Sequence, residues 1–238
     1  MRKKPVRTLA SILAFLFLAA GCVGSRDSAV EQAQFLLDHG NYTEAAALLQ
    51  PVVAANPQDD QATFLLASAL IGKSVLGTSR SYLGLFADLL NDPSTGETGF
   101  QTFARIAPAS SSSISDLEAA TDLLENLTTF ASSVQLGDVY LQLYISRLFE
   151  ISGVITQVGV CGAGYDPTAF VADTAANDRF QQNLDQVNGD GVNAGIPSDF
   201  PLTSRITSIV EDLNTPGGTL GFLDNQFAAA GIAAQICP

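Results

Sequence analysis

Apolar residues recur at helical intervals over most of this 238-residue chain. Ala33, Leu36, Ala45 and Leu49 predict two short helices broken at Gly40, and residues 79–90 carry apolar side chains at 82, 85, 86, 89 and 90. Asp116 to Ser132 repeats them at 117, 120, 123, 124, 127 and 130, with Asp116, Glu118, Asp122 and Glu125 on the other faces, the pattern of a surface helix. Val134 to Val160 is longer and richer in branched residues, and reads as the central core helix. Its charges Asp138, Arg147 and Glu150 argue against a membrane span, since each would cost about 2.5–3.5 kcal/mol near a bilayer centre. Arg147 and Glu150 are three apart and can pair along the helix. Further helices are expected at Phe100 to Ile106, Thr168 to Val187, Leu202 to Leu213 and Leu220 to Ile232. Between them lie a turn at Cys161 to Pro167, an irregular loop at Asn188 to Pro197, and a break at Asn214 to Gly218. The serine run at 110–113 is either a linker or the start of the next helix, with Ser113 or Ser115 as its cap. No segment alternates as a strand would, so the expected fold class is all-α, with roughly eight to ten helices.

The first 21 residues follow a different rule. Arg2, Lys3, Lys4 and Arg7 precede an apolar run from Leu9 to Leu18 and the small residues Ala19, Ala20 and Gly21, the three-part pattern of a secretory signal peptide. Leu18-Ala19-Ala20-Gly21-Cys22 resembles the lipobox of bacterial lipoproteins, with Ala19 where leucine is commonest. The resemblance implies that cleavage leaves Cys22 as a lipid-modified N-terminus. Two or three acyl chains would anchor the body stably, at about 0.8 kcal/mol per buried methylene. Val23 after the cysteine, in place of aspartate, implies sorting to the outer membrane with the body facing the periplasm.

Removing that leader takes four of the 11 basic residues and no acids, leaving seven against 24 and a net charge of −17. Such a body repels nucleic acid and anionic lipid, so membrane attachment requires a hydrophobic anchor. The remaining thiols, Cys161 and Cys237, are compatible with a disulfide in an oxidising compartment. It would close a loop of about 77 residues, worth about 4–5 kcal/mol in the chain-entropy account; two buried free thiols are the alternative.

The helices after the leader carry a repeat. Ala33, Leu36, Gly40, Tyr42, Ala45, Leu49 and Pro57 are spaced as in a tetratricopeptide repeat, and Ala33 and Leu36 recur 34 residues on as Ala67 and Leu70. The region resembles one such repeat and half of another; Ser74 and Ser79 depart from the pattern, and Pro51 falls inside the second helix. The chain accordingly divides into a signal peptide at 1–21, a lipidated tether at 22–28, a repeat-like helical region at 29–108, and a helical region at 109–238 packed on it as one body. A lone hairpin cannot bury its apolar face, so the rest of the chain must cover it. The resemblance implies protein or peptide binding in a groove near Phe35, His39, Thr63 and Phe64.

Candidate chemistry is sparse. Ala67 to Ser74 lacks a glycine needed for a phosphate loop, and Lys73, the only lysine after the leader, reads as a solvated helix-end charge. Gln186 to Val192 overlays the first half of a calcium loop, with Asn188 and Asp190 as ligands; Gln186 and Pro197 replace two of the required acids, and an ordinary Asn/Gly turn is the competing reading. One histidine, His39, without a nucleophile motif gives no hydrolytic constellation. The expectation is therefore a lipid-anchored, non-catalytic scaffold that binds a protein or peptide in the cell envelope, with no cofactor beyond the lipid. A lipoprotein enclosing a small solute for transport is the alternative.

Overall fold

The computed structural model describes residues 26–75, 111–132, 134–159 and 172–197. Among them the protein is all-α, with six helices and no strand. These are α1 (residues 26–38), α2 (Tyr42–Ala55), α3 (Asp60–Val75), α4 (Ser111–Phe130), α5 (Leu136–Gly159) and α6 (Thr174–Asn193). The leader, Cys22, Cys161, Cys237 and the helices expected at 79–90, 100–106, 202–213 and 220–232 lie outside the described residues.

Gly40 ends α1 as its sequence position predicts. It adopts φ +74°, its N–H donates to Leu37 O at 3.0 Å, and the N–H of Asn41 donates to Leu36 O at 2.8 Å. This reciprocal closure satisfies two helix-end carbonyls and needs a left-handed residue that glycine supplies without strain. The chain reverses at once into α2, whose buried face is Ala45, Ala46, Leu49 and Val53; Pro51 stays within the helix on its exposed side. At the next corner Asp59 caps α3, accepting from the N–H of Ala62 at 3.1 Å.

Asp59 also ties the start of α1 to the start of α3. Arg26 Nε and Nη2 each donate to one of its carboxylate oxygens at 2.6 Å, so both oxygens are held by a planar fork. The Arg26 bonds depress the Asp59 pKa despite the opposing effect of burial. α1 and α3 thus run parallel, with α2 reversed between them. Small residues allow the close approach: Ala33, Ala45 and Ala67 are fully enclosed. At the far end of α3 the ring of Tyr42 lies directly over the backbone of Gly72.

α3 is buried on almost every side, because α2 packs on one face, α4 on another and α5 touches a third. Asp60, at the start of α3, accepts from the N–H of Ser132 at 2.8 Å, while Lys73 near its end pairs with Asp116 at 2.7 Å. α3 and α4 are therefore antiparallel, and Lys73 is an exposed helix-end charge that is also paired. The serines at 111–113 are helical and form the first turn of α4. α4 packs on α5 and α5 on α6, continuing the array through Ile114, Leu117, Ala120, Leu124, Leu127, Val139, Leu143, Phe180, Leu184 and Val187.

The Tyr42–Gly72 contact makes a sharp test. A Cβ on Gly72 would stand 2.3 Å from Tyr42 Cδ1, whereas one on the helical Gly189 meets nothing. Gly72→Ala should destabilise the fold by about 1–3 kcal/mol in urea denaturation through overpacking. Gly189→Ala should stabilise it by about 0.5–1 kcal/mol, by removing glycine's extra backbone freedom.

Candidate functional site

Phe35, in the last turn of α1, and His39, just past its end, have their rings 4.1 Å apart at 33°, and His39 Nδ1 lies 2.7 Å from Phe35 O. Phe35 is 59% exposed, so this pair forms an aromatic step on the outer face of α1. Thr63 and Phe64 sit differently. Thr63 is 1% exposed and its hydroxyl has no hydrogen-bond partner, while Phe64 is half-buried against the core. α3 is packed between α2 and α4, and from α5 Gln142 Nε2 donates to Ser68 Oγ on α3 at 2.7 Å. Ala69, 34 residues after Phe35, is likewise fully buried. The chain's own helices cover on α3 the face that α1 leaves open.

A second constellation fills the seam between α4, α5 and α6. Arg147 and Glu150 fall in the apolar stripe of α5 with Val139, Leu143 and Val154, and both are 2% exposed. Each finds its partners on other helices. Arg147 Nε donates to Asp190 Oδ2 at 2.7 Å, its Nη1 to Asn183 Oδ1 at 2.7 Å, and its Nη2 to Glu125 Oε1. Glu150 accepts from Asn183 Nδ2 at 2.8 Å, from Arg179 Nε at 2.9 Å, and from the Thr121 hydroxyl, which lies 2.7 Å from the Ser146 hydroxyl. Arg179 Nη1 reaches Asp122 at 2.9 Å, and its Nη2 donates to Glu118 O at 3.0 Å. The expected Arg147–Glu150 pair is thus replaced by a bridge: the Asn183 amide accepts from one and donates to the other. Glu118, Asp122 and Glu125 of α4 face these arginines instead of serving only as a solvated surface.

The segment expected as an irregular loop at 188–197 is helical through Asn193, because the buried stripe of Phe180, Leu184 and Val187 continues into Asp190 and Gly191, which packs beneath Tyr144. The calcium-loop geometry proposed for Asn188 and Asp190 is therefore absent from this segment. Asp190 instead faces Arg147, and among the described residues no group of three or more His, Cys, Asp or Glu side chains converges as metal ligands would.

Electrostatically the seam is strained toward the acid. Burial raises the Asp190 pKa above its ordinary 3.8, and the Arg147 bond only partly offsets it; burial likewise raises that of Glu118 above 4.5, against the pull of Arg179. Burial opposes the charge on Arg179, yet its bonds to Glu150 and Asp122 prevail and hold the guanidinium charged. The carboxylates meet donors already committed to them, an arrangement that fixes helix register. The sequence carried one usable signal for this network: Arg147 and Glu150 occupy core-facing positions of an apolar helix.

Arg147→Met should destabilise the protein by about 3–5 kcal/mol in urea denaturation, since Asp190 would remain buried without its cation. For pH, an acid whose folded pKa lies above its unfolded value binds more protons when folded, so stability falls as pH rises through that window. Asp190 and Glu118 should therefore make the protein more stable in mild acid than at neutrality, and Asp190→Asn should flatten that slope in thermal melts. Asp59 acts oppositely: its contribution is present above 3.8 and is lost as pH falls through its depressed pKa. No protein-family model matches the sequence, and no curated protein or solved structure matches it.

Proposed function

We propose that this chain is a lipid-anchored envelope protein whose helical body binds a protein or peptide partner at the periplasmic face of the outer membrane. The observation that carries the binding half is the exposed Phe35–His39 step. A large aromatic ring left in water at 59% exposure, stacked on an imidazole and carried by a helix whose opposite face is core, is the kind of anchor that protein interfaces use. The equivalent face of α3 is covered by the chain itself, which concentrates the contact on α1 and withdraws Thr63 and Phe64 from it.

A tetratricopeptide-like origin for residues 26–75 belongs to the same proposal. Its support is the parallel placement of α1 and α3 at a 34-residue interval, the enclosure of Ala33 and Ala67, and the glycine-ended first helix. The lipobox-like Leu18 to Cys22 supports the anchor. No catalytic role is proposed: the buried carboxylates are consumed by arginine, asparagine and threonine donors.

Two measurements test this reading. Growth with labelled fatty acid should mark the wild-type protein and leave Cys22→Ser unlabelled; an unlabelled wild type would remove the anchor. A photo-crosslinker on α1 should capture a discrete partner in intact cells, and Phe35→Glu should abolish that capture with helix content unchanged. Capture that survives Phe35→Glu would exclude this face.

A further inference from the structure

The helix directions place four features at one end of the array. α1 begins there at Arg26, α2 meets α3 there at Asp59, α4 meets α5 there beside Ser132, and α6 finishes there at Asn193. The antiparallel order is set by contacts along the seams: Asp60 with Ser132 and Lys73 with Asp116, then Glu125 with Arg147, then Gly191 beneath Tyr144 and Arg179 against Glu150. Of the four large apolar side chains exposed among the described residues, Leu136 opens α5 and Val192 closes α6, at 46% and 61% exposure, and Leu141 follows within the first two turns of α5. Only Phe35 stands elsewhere, near the finish of α1.

Only Val23, Gly24 and Ser25 separate Cys22 from Arg26. Four residue steps span at most about 14 Å when fully extended. α5, with 24 residues, is about 36 Å long at 1.5 Å per residue. The leash is thus much shorter than the body. It cannot lengthen by unwinding the start of α1 without breaking the two-oxygen fork that Arg26 makes with Asp59. A body held this closely turns its root end toward the bilayer, and among the described residues that is the end where the exposed leucines and Val192 gather.

We propose that this end of the array rests on the lipid surface, and that the Arg26–Asp59 clamp fixes the body in that orientation. The inference rests on the lipid anchor proposed above. The occupant is the uncharged interfacial region of a bilayer rather than anionic head groups: among the described residues the one basic side chain at this end, Arg26, is spent on Asp59 and Asp27, while Asp60 and Asp138 add negative charge. In this stance the Phe35–His39 step stands about 14 Å above the root of α1, nine residues along the helix, and faces the aqueous compartment.

The chain contains no tryptophan, so single substitutions report one position each. Full-length protein, processed and acylated in cells, would carry Leu136→Trp, Val192→Trp or Phe35→Trp and be reconstituted into phosphatidylcholine vesicles with brominated acyl chains. Leu136→Trp and Val192→Trp should lose emission relative to unbrominated vesicles, and Phe35→Trp should not. Arg26→Gln in the same backgrounds should even out the three signals; a contrast unchanged by Arg26→Gln overturns the role of the clamp. Protein that floats with the vesicles and carries acylated Cys22, yet shows no contrast between the positions, overturns the orientation while leaving the anchor intact. Protein that stays out of the vesicles with a free Cys22 thiol by mass spectrometry removes the anchor and the orientation with it. A concentration-dependent blue shift at Leu136→Trp without vesicles assigns the face to a second copy of the chain and also overturns the proposal.

Discussion

Burying Glu150 between three helices constrains the whole second half of the array. A carboxylate cut off from water must be met by donors, and here they arrive from both sides, Thr121 from α4 and Asn183 and Arg179 from α6. Sliding either neighbour by one helical turn, about 5.4 Å, would break these contacts and leave a buried charge unsatisfied. Arg147 is bound by the same logic, and Asn183 couples the two by serving each with a different end of its amide. Apolar packing alone tolerates small slips; this seam does not. The cost of such a device is that it adds little net stability over a well-packed apolar seam.

The first half is held together differently. Its seams mix aliphatic side chains such as Leu49, Leu66 and Leu70 with alanines and a glycine that bring backbones close, and polar contacts at the helix ends add register. Arg26 with Asp59 aligns α1 to α3, and Asp60 with Ser132 aligns α3 to the α4–α5 corner. α3 is where the two regimes meet: it is enclosed by α2, α4 and α5, so the region of repeat-like sequence and the helices after it share one core. α4 and α5 cover the part of α3 that α2 leaves free.

The same arrangement orders the proposed functions in space. Covering α3 leaves α1 as the open side of the repeat-like unit, with an aromatic step near its finish. The proposed anchor lies just before its start. One short helix would then carry the membrane attachment at one end and the partner contact toward the other, and the ionic fork at its root would transmit the body's orientation from the first to the second.

Much of the fold was legible from local pattern. The all-α class, the break at Gly40, the close contacts of Ala33 and Ala67 and the core helix after Val134 all follow from helical periodicity and from the one residue that adopts positive φ without strain. Where local pattern misled, a neighbour overruled it. The Asn, Gly and Asp composition near residue 190 suggests a loop, yet Tyr144 and Arg147 supply packing and a cation that carry α6 through Asn193. Three-residue spacing suggests that Arg147 and Glu150 pair with each other, and Lys73 reads as a solvated end, yet their partners lie on other helices. Among the described residues the sequence by itself determined where most of the helices lie and which of their faces are apolar, the last turns of α6 excepted, because both depend on neighbours a few residues away. Tertiary structure alone decided which charges meet and which apolar face stays open, because those depend on distances between helices that no local spacing encodes.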